Sequence, residues 1–263
     1  MIITGTTGEF NTLAFDEKVK LYETALKQVN GRKPIIAGTG CNSTLETIEL
    51  TKIASDIGMD ACMIVAPYYC KPTQDAIIEH YIRIANSVNI DILLYNIPLF
   101  TGVNIEPSTV AILAQNKRII GIKDEAGMNP LQISDYYYAV KNINKEFLLL
   151  NGDDLMLMPT LSQGADGIVS GAAHLMGDKI RQVFYNYSQG KVEEALRIYR
   201  QLFKLCRVFG INGRVHPNPV LKAAIEIVTG LKIGKPRMPL NGITESEMVE
   251  LQKVLKELNL IKS

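Results

Sequence analysis

Lys123 closes a run of apolar and small residues in IIGIKDEAG, and two acids follow it at once. A lysine at the end of a strand that reads as buried is costly to place. Two explanations compete. Either the ammonium reaches water along its apolar stem, or the amine is partly desolvated and put to use. Desolvation lowers an ammonium pKa and makes free amine available near neutral pH. A free amine attacks a ketone and forms a Schiff base. No other side chain in the sequence offers an equally good nucleophile. Tyr95 holds the matching place at the end of DILLYNIP. It is either a core aromatic with its hydroxyl satisfied, or a phenol that moves the protons of carbinolamine formation and dehydration. Thr6 and Thr7 lie in a Gly-Thr-Thr-Gly turn. Such a turn caps a helix, or it aims hydroxyls and backbone N–H groups at a carboxylate. Tyr68 and Tyr69, ahead of Pro72, are a packed loop or part of the same rim.

The acids Asp124, Glu125, Asp153 and Asp154 raise the question of a metal. The three histidines, His80, His174 and His216, are far apart in sequence. No His/acid pair has ligand spacing. The reading is therefore no metal, and a lysine that forms the imine itself needs no organic cofactor. His80 sits in a helical stretch and reads as structural. His174 follows the last strand and has no assigned role.

These side chains need elements to position them. Short apolar runs recur at 1–5, 34–38, 61–67, 91–98, 119–123, 147–152 and 166–171. Each is apolar without alternation, as expected of strands buried on both faces. Helical segments lie between them. In STLETIELTKIASDIG, Ser43 and Glu46 have the spacing of a capping box. Pro107 suits the first turn of another helix. Alternation of strand and helix about every 30 residues predicts parallel strands with right-handed crossovers. An open doubly wound sheet and an eight-stranded barrel both answer to that. GTTGEF has the wrong spacing for a dinucleotide fingerprint, which favours the (β/α)8 TIM barrel. Every residue singled out above would then sit at the C-terminal rim of the strands, where barrel sites lie. Only seven strands are visible, so the first βα unit is expected to be missing. After about residue 190 the alternation gives way to helices. The expected organisation is a short barrel over 1–190 and a C-terminal helical extension over 191–263.

Net charge is +1, from 28 basic and 27 acidic residues. That balance argues against nucleic acid as a partner. Cys41, Cys62, Cys70 and Cys206 match no zinc pattern and read as free thiols of a reducing compartment. No apolar run approaches the roughly 20 residues of a membrane span, and MIITGTTGEF lacks the build of a signal peptide. The expectation is a cytoplasmic protein whose partners are small molecules.

The motifs GTTGE, PYY, YNIP, GIKD and NGDD, in this order, resemble those of the pyruvate-dependent Schiff-base aldolases, the dihydrodipicolinate synthase and N-acetylneuraminate lyase family. The resemblance spans essentially the whole chain. It implies a barrel with a helical extension, assembled as a homodimer or homotetramer. It implies that Lys123 forms the imine with pyruvate and that Tyr95 relays protons beside it. Thr7 would hold the pyruvate carboxylate. Thr6 would link Tyr95 to a second tyrosine, Tyr69, donated across a dimer interface. Gly152 and Val169 would line the pyruvate pocket.

One departure bears on the second substrate. Dihydrodipicolinate synthases carry Ser-Arg-Thr-Gly after the YN.P motif, and the arginine grips a carboxylate on the aldehyde. Here the segment reads Leu99-Phe100-Thr101-Gly102. Losing such a charge-assisted pair costs roughly 2–5 kcal/mol. Arg214 is a candidate replacement. GIKD and GTTGEF also look more like the sugar-acid aldolases. The favoured reading is a 2-keto-3-deoxy sugar-acid type aldolase. The alternatives are the synthase, a sugar-acid dehydratase and a non-catalytic member of the family.

Overall fold

The structure is a computed structural model that describes residues 1–262. Among the described residues seven strands form: β1 (Ile2–Ile3), β2 (Ile36–Gly38), β3 (Ala61–Val65), β4 (Asp91–Asn96), β5 (Ile119–Asp124), β6 (Leu148–Asn151) and β7 (Gly167–Ile168). They match the seven apolar runs, with shorter bounds. All six pairings are parallel and the strand order follows the sequence from β1 to β7. A doubly wound sheet reverses its order at a switch point. This one never does, so the barrel type of curled parallel sheet is the architecture present.

Contacts divide the chain into two compact units, Met1–Val169 and the remainder from Ser170. The first unit carries the sheet and α1 (Phe15–Val29), α2 (Thr44–Asp56), α3 (Gln74–Ser87), α4 (Pro98–Thr101), α5 (Pro107–Leu113), α6 (Gln132–Val140) and α7 (Leu157–Ser162). The second unit carries α8 (Ala173–Ser188), α9 (Val192–Phe209), α10 (Asn218–Thr229) and α11 (Glu245–Glu257). α8, which the strand–helix alternation groups with residues 1–190, lies in the second unit.

Ser43 caps α2 by accepting the Glu46 N–H, while the reciprocal box forms at Thr244 and Glu247 of α11. Pro98, expected inside a strand, starts the short α4 instead. Proline has no N–H for the ladder but suits a first helical turn.

The two faces of the sheet differ. Cys62, Ile64, Ile92, Leu94, Ile119 and Ile122 join the core beneath the helices, with Tyr22, Ile77, Tyr81 and Tyr136. Met63, Val65, Leu93, Tyr95 and Ile97 form a second, inner cluster. Even-numbered positions of β3 and β4 therefore face the helices and odd-numbered ones face inward, as the period of two requires. In β5 that parity changes. Ile92 pairs with Ile119, but Leu93 pairs with Gly121, so the register slips by one residue. Without the slip, alternation counted from Ile119 would turn Lys123 towards the helices. With it, Ile119 and Ile122 both reach the outer core and Lys123 faces inward. Gly121 sits at the slip because a Cβ there would lie 2.6 Å from the Leu148 carbonyl oxygen.

In the second unit α9 packs against α8, α10 and α11, burying Ile198, Leu202, Leu205 and Phe209. No helix among the described residues is long and apolar enough to cross a membrane.

Candidate active site

Register pairs Tyr95 with Lys123 across β4 and β5. The two side chains meet on the inner face, with the Lys123 Nζ 3.8 Å from the centre of the Tyr95 ring. Both are almost wholly buried, at 6% and 1% exposure. Glu125 continues β5, its N–H donating to the Asn96 carbonyl at 2.8 Å. Two residues beyond Lys123, it returns to the same face. Its Oε2 lies 3.1 Å from Lys123 Nζ and accepts from the Tyr95 hydroxyl at 2.8 Å. The phenol has one proton and gives it to this carboxylate. The Thr6 hydroxyl, 3.1 Å from the Tyr95 oxygen, is then the donor in that contact. The result is a continuous line, Thr6 to Tyr95 to Glu125, with Lys123 held at its end.

The electrostatics of this line correct one expectation. Burial does act to lower the Lys123 pKa, and it is the largest single influence. Together, however, Tyr95 and Glu125 outweigh it, and the ammonium is held above its ordinary range. Lys123 therefore rests as a charged, paired amine, not as a free one. Burial pushes the Tyr95 phenol up to about 12, although Lys123 and the Thr6 hydroxyl pull the other way.

Gly152 follows β6, its N–H donating to the Asp124 carbonyl. A Cβ there would lie 2.6 Å from Lys123 Cε and 2.9 Å from Glu125 Oε2. The residue expected to line the pocket is thus the one that leaves room for the lysine. A small cavity beside Tyr95 is lined by Gly5, Thr6, Phe10, Gly38, Met63 and Val65. Thr7 is exposed in the 3-10 turn Thr6–Gly8. Val169 is half-buried and donates its N–H to Asn151. Tyr69 is 90% exposed, in a loop where it and Lys71 have positive φ. None of these three joins the hydrogen-bonded line.

Asp124, between Lys123 and Glu125, points to the opposite face. Its Oδ1 accepts from Asn96 and from Gln132, both at 2.8 Å. Asp124 and Glu125 therefore cannot act on one ion. Among the described residues no group of three or more His, Cys, Asp or Glu side chains is placed to hold a metal. Burial raises the Asp124 and Asp153 carboxyls to about 6 each. His80 is buried on α3 against Thr44, and burial lowers it to about 4, so it is a neutral core residue. Arg214, the candidate replacement charge, is committed to Glu247 through two bonds of 2.7 and 2.8 Å.

Glu125 is the member of the line that sequence reading missed. In the sequence it stands out only as a possible metal ligand beside Asp124. The signal was its spacing of two from Lys123 on an extended strand, which places both on one face.

Comparison with known proteins gives matches over nearly the whole chain. A sequence model of the Dihydrodipicolinate synthetase family matches residues 1–258. The 4-hydroxy-tetrahydrodipicolinate synthase of Oceanobacillus iheyensis is 38% identical over 258 residues, covering 98% of this chain and 84% of the relative. The crystal structure of dihydrodipicolinate synthase from Thermotoga maritima superposes with a TM-score of 0.92 at 32% identity, covering 99% of this chain and 87% of that one. The chloride-inhibited synthase from Acinetobacter baumannii, solved in complex with pyruvate, gives a TM-score of 0.90 at 34% identity, with coverage of 99% and 87%.

Proposed function

Because the chain belongs to the dihydrodipicolinate synthetase family, a lyase family of class I Schiff-base aldolases, we propose that Lys123 forms an imine with pyruvate and that the derived enamine adds to an aldehyde as in the 4-hydroxy-tetrahydrodipicolinate synthase reaction. This corrects the sequence preference for a sugar-acid aldolase. That preference rested on short motif differences, whereas the relatives named synthase match over nearly the whole chain.

The observation that carries the reading is the buried Lys123 amine, set against Tyr95 and Glu125 at the C-terminal ends of β4 and β5. The keto acid enters with its carboxylate on the Thr6–Thr7 turn, where backbone N–H groups and hydroxyls suit an anion. Lys123 attacks the ketone while Tyr95 moves protons until water leaves. The protonated imine is an electron sink, so the methyl group loses a proton and an enamine forms. The enamine carbon bonds to the aldehyde carbon, and hydrolysis of the new imine frees Lys123. Val169 lines the pyruvate pocket, and Gly152 keeps its floor open. Tyr69 completes the relay from a second copy, which makes the working form a homo-oligomer. The barrel is of the eightfold type, with the helices after residue 190 as its extension. No cofactor takes part.

Phe100 stands on α4, 38% exposed, where the resemblance looks for an arginine. The aldehyde carboxylate is then held more weakly than in a synthase with that arginine, and the aldehyde KM is raised.

Borohydride trapping tests the reading. Incubation with pyruvate and borohydride should add one reduced pyruvyl group, mapped to Lys123 and lost in Lys123→Ala. A folded protein that gives no adduct, or an adduct elsewhere, would sink it. Offering the trapped-competent enzyme aldehydes with and without a carboxylate then identifies the second substrate.

A further inference from the structure

Imine formation needs a place to put a proton. Lys123 rests as an ammonium, and an ammonium has no lone pair with which to attack. Tyr95 touches the amine, but a buried neutral phenol that already donates its proton is a conduit and not a store. Thr6 is a hydroxyl with the same limitation. One group at the site is built to accept. Glu125 Oε2 receives the Tyr95 hydroxyl at 2.8 Å and lies 3.1 Å from Lys123 Nζ. It touches both the nucleophile and the relay. Its side chain is 27% exposed, against 8% for that of Lys123.

We propose that Glu125 is a catalytic residue that takes the Lys123 proton before attack and returns it, through Tyr95, to the departing hydroxyl. The inference rests on the Schiff-base reading above. The step balances as follows. The Nζ proton passes to Oε2, giving an amine and a carboxylic acid. The amine lone pair forms the C–N bond as the ketone π pair moves to oxygen. Tyr95 gives that oxygen its proton and recovers one from the new nitrogen centre. Glu125 then gives its proton to Tyr95 as Tyr95 protonates the hydroxyl. The C–O bond breaks, water leaves, and the nitrogen lone pair closes the protonated imine. Glu125 ends as a carboxylate facing the iminium charge, as it began facing the ammonium. The C=O bond is exchanged for a C=N bond, the two protons lost from nitrogen leave with the water, and none has to be taken from or given to solvent.

The alternative role for Glu125 is a brake, which only holds Lys123 protonated. The two roles predict opposite results. Removing a brake frees the amine and speeds trapping. Removing the proton store slows it.

The test is the rate of borohydride-trapped pyruvate adduct at Lys123 in wild type, Glu125→Gln and Glu125→Asp, from pH 7 to 9. The glutamine keeps an oxygen for Tyr95 but cannot hold the proton; the aspartate restores the carboxylate. The titratable groups that act on Glu125 are Lys123 and Tyr95 on the same face of the strands, Asp124 on the opposite face of β5, and Asp153 after β6. Expected for Glu125→Gln is a loss of about 100-fold at pH 7.5, with Glu125→Asp within about tenfold of wild type. Wild type should be nearly flat with pH, since its proton stays inside the site. Glu125→Gln should climb about tenfold per pH unit, because solvent base must remove the proton. Melting temperatures establish that each variant is folded. A folded Glu125→Gln that traps as fast as wild type, or faster, overturns the inference and leaves the Schiff-base reading standing. A wild-type chain with no adduct on Lys123 overturns that reading and the inference with it.

Discussion

Tyr95 has one proton, and the carboxylate of Glu125 receives it. Replacing Tyr95 with phenylalanine removes that bond and the Thr6 contact but keeps the ring over Lys123 Nζ. Each lost hydrogen bond costs about 1 kcal/mol of stability. The conduit between the reacting oxygen and Glu125 is gone, and positioned proton transfer is worth about 10²–10⁴-fold in rate. Tyr95→Phe should therefore fold and lower kcat by at least about 100-fold, read from steady-state kinetics beside a thermal melt. An unchanged kcat would remove Tyr95 from the mechanism. The rim positions of Lys123 and Tyr95 were legible in sequence because both lie towards the ends of apolar runs, and run ends map to the strand rim. The charge state of Lys123 was not. Burial is visible in a sequence, but the ion pair that reverses its effect depends on which face Glu125 takes. Asp124 and Glu125 look equivalent in the string KDE, and only the pleat separates them. Which face of β5 turns inward is decided one level up, by the register slip at Gly121, which no sequence pattern marks.

At the scale of elements, the outward partner of that pleat ties β4, β5 and α6 together. Asn96, Asp124, Gln132 and Tyr136 form one buried network, closed by Asn104 and by the Tyr136 hydroxyl donating to Ile105. It fixes the strand ends that carry Tyr95 and Lys123. Its carboxyl has a pKa raised to about 6 by burial, which its hydrogen bonds only partly offset. The sign follows from linkage. The folded chain holds this proton more tightly than the unfolded chain, whose value is about 3.9. The stability it contributes is full below about pH 4 and is lost as pH rises through about 6. Asp124→Asn keeps an Oδ1 for Asn96 and Gln132 and cannot titrate. Relative to the variant, wild type should lose roughly 1–3 kcal/mol between pH 4 and 7, measured by urea unfolding at several pH values. Parallel stability curves would mean that Asp124 titrates normally. None of this network was read from the sequence, where its members are polar residues on separate segments.

At the scale of the whole molecule, the seven strands were readable because parallel strands covered on both faces are continuous apolar runs, bounded by glycine, proline and polar turns. The pattern groups α8 with the barrel because α8 follows a strand as the earlier helices do. Assembly is where sequence and single-chain geometry meet. Tyr69 belongs to the proposed relay, yet it is 90% exposed and outside the Thr6–Tyr95–Glu125 line. An exposed aromatic in a loop with positive φ at two non-glycine residues is expensive to keep for its own sake. If Tyr69 serves a neighbouring copy, its loss and the loss of Lys123 disable different halves of one site. Tyr69→Ala and Lys123→Ala should each be folded and nearly inactive. Mixed in equal amounts and allowed to exchange, half of the random dimers pair one variant with the other. Each such dimer holds one site with Lys123 and Tyr69 both present, so the mixture should recover about a quarter of wild-type activity. Size-exclusion chromatography with light scattering checks that the copies associate. An associated mixture that stays as inactive as its parts would place Tyr69 in its own chain's site or outside the mechanism.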